Sequence, residues 1–173
     1  CALATGPRVV ASQGIGDGCD LVRVLPAGSH RVLVRAFGGA PLTGTGAVDI
    51  DPVVTLDEGV GPELVAAPGE SRALRFTLAA DGEVGIGLKV DADTLSCTLR
   101  DGEDALVGDG CHQFHRLGQG TYQLFVEAPP DGPPQRFSPV VFGLKGSQVD
   151  VPDEWLREFF GRVKRTQATE VTR

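Results

Sequence analysis

The residues of this 173-residue chain best suited to chemistry are four cysteines and three histidines. Cys97, Cys111, His112 and His115 have the donor types of a tetrahedral Cys2His2 metal site, since thiolate and imidazole are the ligands zinc prefers. Two features weigh against that reading. On a strand, His112 and His115 are separated by an odd number of residues and point to opposite faces. The chain also holds a second cysteine pair, Cys1 and Cys19, with Asp20 and Arg23 at the histidine positions. Cysteines kept without their histidines do not need them. The four are therefore read as disulfides Cys1–Cys19 and Cys97–Cys111, each closing a loop worth ~3 kcal/mol in the chain-entropy model. Disulfides place the chain in an oxidising compartment: periplasm, cell surface or medium.

The acids Asp101, Glu103, Asp104 and Asp109 lie in a glycine-bearing stretch that could wrap a calcium ion, a hard cation that takes several oxygen ligands. The other cysteine pair has Thr5-Gly6-Pro7-Arg8 where those acids would fall, and only Asp17 matches Asp109. The simpler reading is a turn ahead of the cysteine, with no metal and no cofactor. Asp91 and Asp93 are read the same way. Catalysis has no footing: there is no Gly-x-Ser-x-Gly elbow, no His-Glu-x-x-His and no phosphate loop. The expectation is a protein that is not an enzyme.

What must position these residues is a repeat. Residues 16–36 align without a gap on 108–128, sharing Gly-Asp-Gly-Cys and matching Leu25/Leu117, Gly28/Gly120, Val34/Val126 and Ala36/Ala128. His30 occupies the position of Tyr122. Self-similarity of this kind decides architecture before local patterns do. Period-2 alternation marks strands at Ala73–Leu78, Val84–Val90, Leu95–Leu99 and Tyr122–Val126, with a further strand at Phe137–Leu144. Ala80-Asp81-Gly82, Gly118-Gln119-Gly120 and the proline-rich run 129–134 are turns. In the first copy, Cys1–Ala4, Leu21–Leu25, His30–Ala36 and Ala47–Ile50 are the corresponding strands. Asp57–Pro62 reads as a connector.

The expected fold is all-β: an antiparallel, jelly-roll-like β-sandwich in tandem repeat, with a short C-terminal amphipathic helix. Residues 1–52 are the C-terminal half of a first repeat, 53–147 a complete repeat, and 148–173 the helix and a disordered tail. Asp150-Val151-Pro152-Asp153 is the helix start. Trp155, Leu156, Phe159, Phe160 and Val163 fall on one face, available either for packing or for docking a partner.

The chain has no methionine and begins at a cysteine. That fits a lipidated mature N-terminus or a cut through a longer chain. The repeat favours the second, because two strand-like runs precede Cys97 and have no counterpart ahead of Cys1. A lipidated Cys1 would also leave Cys19 odd. Left alone, the half repeat exposes a sheet edge and a core face, so it is expected to be completed by a protein partner or by a segment of a parent chain. A net charge of −7 argues against nucleic acid, and no apolar run reaches membrane-spanning length. The mixed-sign polar face of the helix disfavours the membrane surface.

Three segments of the complete repeat together resemble a known module. They are Gly69-Glu70-Ser71-Arg72-Ala73-Leu74-Arg75-Phe76-Thr77-Leu78, Leu95–Leu99 with Asp101-Gly102, and Leu117-Gly118-Gln119-Gly120-Thr121-Tyr122-Gln123-Leu124. They are similar to the bacterial pre-peptidase C-terminal domain, over roughly 63–145. The resemblance implies a secreted, non-catalytic jelly-roll-like sandwich appended to exported proteins, with calcium held in collagen-binding relatives. No matching acid cluster precedes the Ala73 strand here. The function expected is an exported accessory or interaction module. The alternative is a binding module for polysaccharide or matrix protein, with calcium assistance, which an exposed Tyr122 would favour and a buried one would not.

Overall fold

In the computed structural model the chain divides into two compact units, Cys1–Ile50 and Asp51–Arg173. The structure describes residues 1–12, 19, 21–35, 43–90 and 94–144, together with Glu154, Arg157, Glu158 and Gly161. The expected helix face of Trp155, Leu156, Phe159, Phe160 and Val163 lies outside the described residues.

The first unit is a three-stranded antiparallel sheet of β1 (Ala2–Thr5), β2 (Arg8–Ser12) and β3 (His30–Leu33), in the order β2-β1-β3. A tight turn, Gly6-Pro7, joins β1 to β2, and Gly6 takes a φ of +56° that a side chain would resist. β2 was not among the strands read from the sequence, because Val9-Val10-Ala11 does not alternate. Conversely, Leu21–Leu25 and Ala47–Ile50 are not strands. The physical reason is pairing: a strand persists when a neighbour satisfies its backbone groups, and among the described residues of this unit neither segment has one.

The second unit is an all-β sandwich. Its strands are β4 (Val54–Thr55), β5 (Gly59–Val60), β6 (Leu64–Ala66), β7 (Ser71–Leu78), β8 (Gly82–Val90), β9 (Ser96–Asp101), β10 (Leu106–Asp109), β11 (His112–Leu117), β12 (Gly120–Glu127) and β13 (Gln135–Phe142). One sheet runs β10-β9-β12-β7-β4, and the other runs β11-β8-β13-β5 with β6 also on β13. All pairings are antiparallel except β4 on β7. The segment 57–62, expected as a connector, thus contains β5.

Alternation puts Leu74, Phe76 and Leu78 of β7 and Leu99 of β9 into one core with Val84, Ile86 and Leu88 of β8 and Phe137 and Val141 of β13. Two turns close the same end of this sandwich. Asp81 in the 80–82 turn accepts a hydrogen bond at Oδ1 from Gln119 N–H, 2.8 Å away. Tyr122, entering β12, is buried, stacks on Phe76 with centroids 5.5 Å apart, and donates its hydroxyl to Gly118 O at 2.8 Å.

Candidate functional site

The cysteines and histidines of the second unit gather where β9, β10 and β11 come together, and Asp101, Glu103 and Asp104 lie at the other end of the β9–β10 hairpin. Cys97, at the start of β9 in one sheet, is bridged to Cys111, which precedes β11 in the other, with Cα atoms 4.8 Å apart. Gly110 N–H donates to Cys97 O at 2.7 Å, and Leu88 N–H donates to Cys111 O at 3.1 Å. Both sulfurs are used in the bridge, and the two histidines diverge. His112 Nε2 lies 3.1 Å from Leu88 O. His115 Nε2 donates to Gln113 Oε1 at 2.7 Å, in the tautomer the network requires, because Gln113 Nε2 donates to Gly110 O at 2.5 Å. Burial of the His115 ring lowers its pKa, since desolvation disfavours the charged imidazolium. Gly108 on β10 makes room for this pair: a Cβ there would meet Gln113 Oε1 and the His115 ring. This arrangement pins the crossing from β10 in one sheet to β11 in the other. Among the described residues no three His, Cys, Asp or Glu side chains are grouped to hold a metal ion.

The acidic loop is organised as a turn. Asp101 Oδ1 accepts from both Glu103 N–H and Ala105 N–H at 2.9 Å. Asp104 takes a φ of 69°, and its carboxylate lies 3.7 Å from the Arg100 guanidinium, which also donates to Asp104 O at 2.9 Å. Asp109 sits at the end of β10, opposite Thr98.

The first unit holds the more informative geometry, because its ladder duplicates part of the second. Align Cys1 with Cys97 and His30 with Tyr122. In β1–β3, Leu3 is opposite Val32 and Thr5 opposite His30; in β9–β12, Leu99 is opposite Leu124 and Asp101 opposite Tyr122. The register is the same. On the far edge, β1–β2 slips between Leu3 and Ala4, passing over Val10, and β9–β10 slips at Leu99/Arg100, passing over Val107. The bulge is the same too. Even the Tyr122 hydrogen bond has its counterpart: His30 Nε2 lies 2.9 Å from Pro26 O, four residues back, as Tyr122 is bonded to Gly118. Cys1 is bridged to Cys19 across a sequence separation of 18, against 14 for Cys97–Cys111. Ser12, rather than Asp17, takes the ladder position of Asp109, and Asp17 lies outside the described residues.

The strands match, but their surroundings differ. In the second unit β12 lies between β9 and β7, and the opposite sheet covers its inner face. In the first, among the described residues, β3 pairs only with β1. Leu124, Phe125 and Val126 are 1%, 4% and 0% exposed; their counterparts Val32, Leu33 and Val34 are 52%, 45% and 55% exposed. Val48 and Ile50 are exposed as well. Sequence reading did not single out Val32, Leu33 and Val34 as site residues. The signal was present in the gapless alignment, which set each beside a residue of the complete repeat's core strand.

The fold and this site together define a disulfide-bonded β-sandwich that carries, in a separate unit, a second set of three of its strands with their apolar residues open. No family model matches the chain, and no curated protein matches it. Among solved structures it is similar to the pre-peptidase C-terminal domain of the collagenase from Bacillus anthracis, at 14% identity and a TM-score of 0.41, covering 54% of this chain and 99% of that one. It is also similar to PliG from Aeromonas hydrophila, a periplasmic inhibitor of g-type lysozyme, at 8% identity and a TM-score of 0.41, covering 51% and 95%.

Proposed function

We propose that this chain is a non-catalytic, extracytoplasmic interaction module whose first unit docks a protein. The observation that carries this reading is the contrast between Val32, Leu33 and Val34, which are half exposed, and the buried residues of β12 aligned with them. Apolar residues at these positions of a sandwich strand gain free energy only when covered, at about 25 cal/mol per Å². Two disulfides support an oxidising compartment. The shared register and bulge support reading residues 1–52 as half of a repeat and 53–147 as a complete one. A sugar-binding role gains nothing from Tyr122, whose ring is inside the core against Phe76.

The test is photo-crosslinking of the full chain against extracytoplasmic proteins of its own host, with benzoylphenylalanine in place of Val32 or, as a surface control, of exposed Thr77. The expected result is one discrete adduct from position 32, absent from position 77 and lost on adding Val34→Lys. Equal labelling from both positions, or none from 32, overturns the docking reading.

A further inference from the structure

We infer that the first unit is completed by β-strand addition: an extended segment of a different protein pairs antiparallel with the edge of β3 that is open among the described residues, in the place β7 takes beside β12. This rests on the docking reading above and specifies the partner's chemistry. The duplicated ladder supplies the register. β12 meets β7 with Tyr122 opposite Phe76, Gln123 opposite Arg75 and Leu124 opposite Leu74. Transferred to β3, those pairs require an apolar residue opposite His30 and another opposite Val32. One face is then apolar at alternate positions, the pattern by which an added strand is recognised while its backbone supplies the ladder bonds.

The residue between them sets charge. Arg31 stands where the second unit has Gln123, and one of its N–H groups donates to Gly6 O at 2.6 Å. A strand with arginine at the Arg75 position would place like charges directly opposite, which is destabilising; an acid there makes a cross-strand pair. The incoming strand is therefore apolar–acidic–apolar across Val32, Arg31 and His30. A second copy of this chain fits poorly. Antiparallel pairing of two β3 edges with their inner faces together sets Arg31 opposite Arg35 when centred on Leu33 and opposite Leu33 when centred on Val32, so neither register offers Arg31 an acid.

The test uses the full chain and two fluorescent peptides, residues 70–79 of its own β7 and the same peptide with Arg75→Glu. Anisotropy should show the Arg75→Glu peptide binding about fivefold tighter, one like-charge pair being removed and one opposite-charge pair made. In the chain, Arg31→Glu should invert that preference, a reversal that loss of fold does not produce. Hydrogen exchange should slow at residues 31–34 when the peptide is bound. No binding of either peptide, binding indifferent to charge, or binding without protection at 31–34 overturns strand addition. The crosslink at position 32 judges the docking reading separately, so the two failures are told apart. A crosslinked product that is a dimer of this chain also overturns the assignment to a different protein.

Discussion

Removing each disulfide in turn separates what the bridges do in the two units. Cys97–Cys111 closes a loop with a separation of 14 and Cys1–Cys19 one of 18. Chain entropy assigns both about 3 kcal/mol at 25 °C, because the dependence on loop length is only logarithmic. The consequences nevertheless differ, because what remains differs. Cys97 is buried among Leu99, Val126 and the rest of a core drawn from two sheets, so Cys97→Ala with Cys111→Ala should leave the second unit folded. It should melt lower by roughly 12–24 °C, at about 4–8 °C per kcal/mol for a domain of this size. In the first unit, Leu3 and Ala4 are the buried apolar residues among those described. Cys1→Ala with Cys19→Ala should therefore abolish hydrogen-exchange protection at 2–5 and 30–33 while leaving β7, β8 and β12 protected. Thermal melting by circular dichroism and exchange read by mass spectrometry check the two arms. The reasoning is refuted if the Cys1/Cys19 variant keeps its protection. It is equally refuted if the Cys97/Cys111 variant shifts its melting temperature by only a degree or two.

Gly85 lies opposite Phe142, and a Cβ at Gly85 would fall inside the Phe142 ring. Gly85→Ala should cost about 1–3 kcal/mol in urea unfolding, and much less in a Phe142→Leu background. Tyr122→Phe removes a buried hydroxyl's bond to Gly118 O and should cost about 1 kcal/mol by the same measurement. His115, with its pKa lowered in the folded state, should make the protein less stable in acid. Above pH 6.5 the ring is neutral folded and unfolded, so it contributes nothing. As pH falls through 6.5 the unfolded chain takes up the proton first and stability drops, until the lowered folded pKa is passed and the loss stops growing. Unfolding free energies between pH 7.5 and 4.5 should therefore fall less steeply in His115→Gln than in the parent.

The complete repeat was legible where burial on one face imposes period 2. Leu74, Phe76 and Leu78 alternate with Arg75 and Thr77, and the strand was read nearly to its ends. β10 was not legible, because Leu106-Val107-Gly108-Asp109 carries a bulge and a glycine and lost any alternation among the neighbouring acids. β2 escaped for a related reason, since its bulge at Val10 breaks the period at the same place. The errors at Leu21–Leu25 and Ala47–Ile50 have another source. Their residues are suited to strands, but strand formation depends on a neighbour, and local sequence does not record whether the neighbour is there. The candidate site was legible only through the repeat: nothing in Val32-Leu33-Val34 itself distinguishes an open strand from a covered one, whereas the half copy implies an open edge and core face.

The comparison of His30 with Tyr122 bears on what is being maintained. Tyr122 closes on Gly118 through a phenol and packs on Phe76; His30 reaches Pro26 through an imidazole, with Nδ1 2.8 Å from Thr5 Oγ1. The chemistry has changed, yet the four-residue return, the cross-strand partner and the bulge beyond it are retained. The first unit shares with the second the register, the bulge and the four-residue return of that ladder. Val32 lies in the register of Leu124, which the second unit buries, and Arg31 differs from Gln123 at the position where an added strand would be read. The geometry is matched and the charge differs, which is the combination expected if a strand added to β3 is to be told apart from β7.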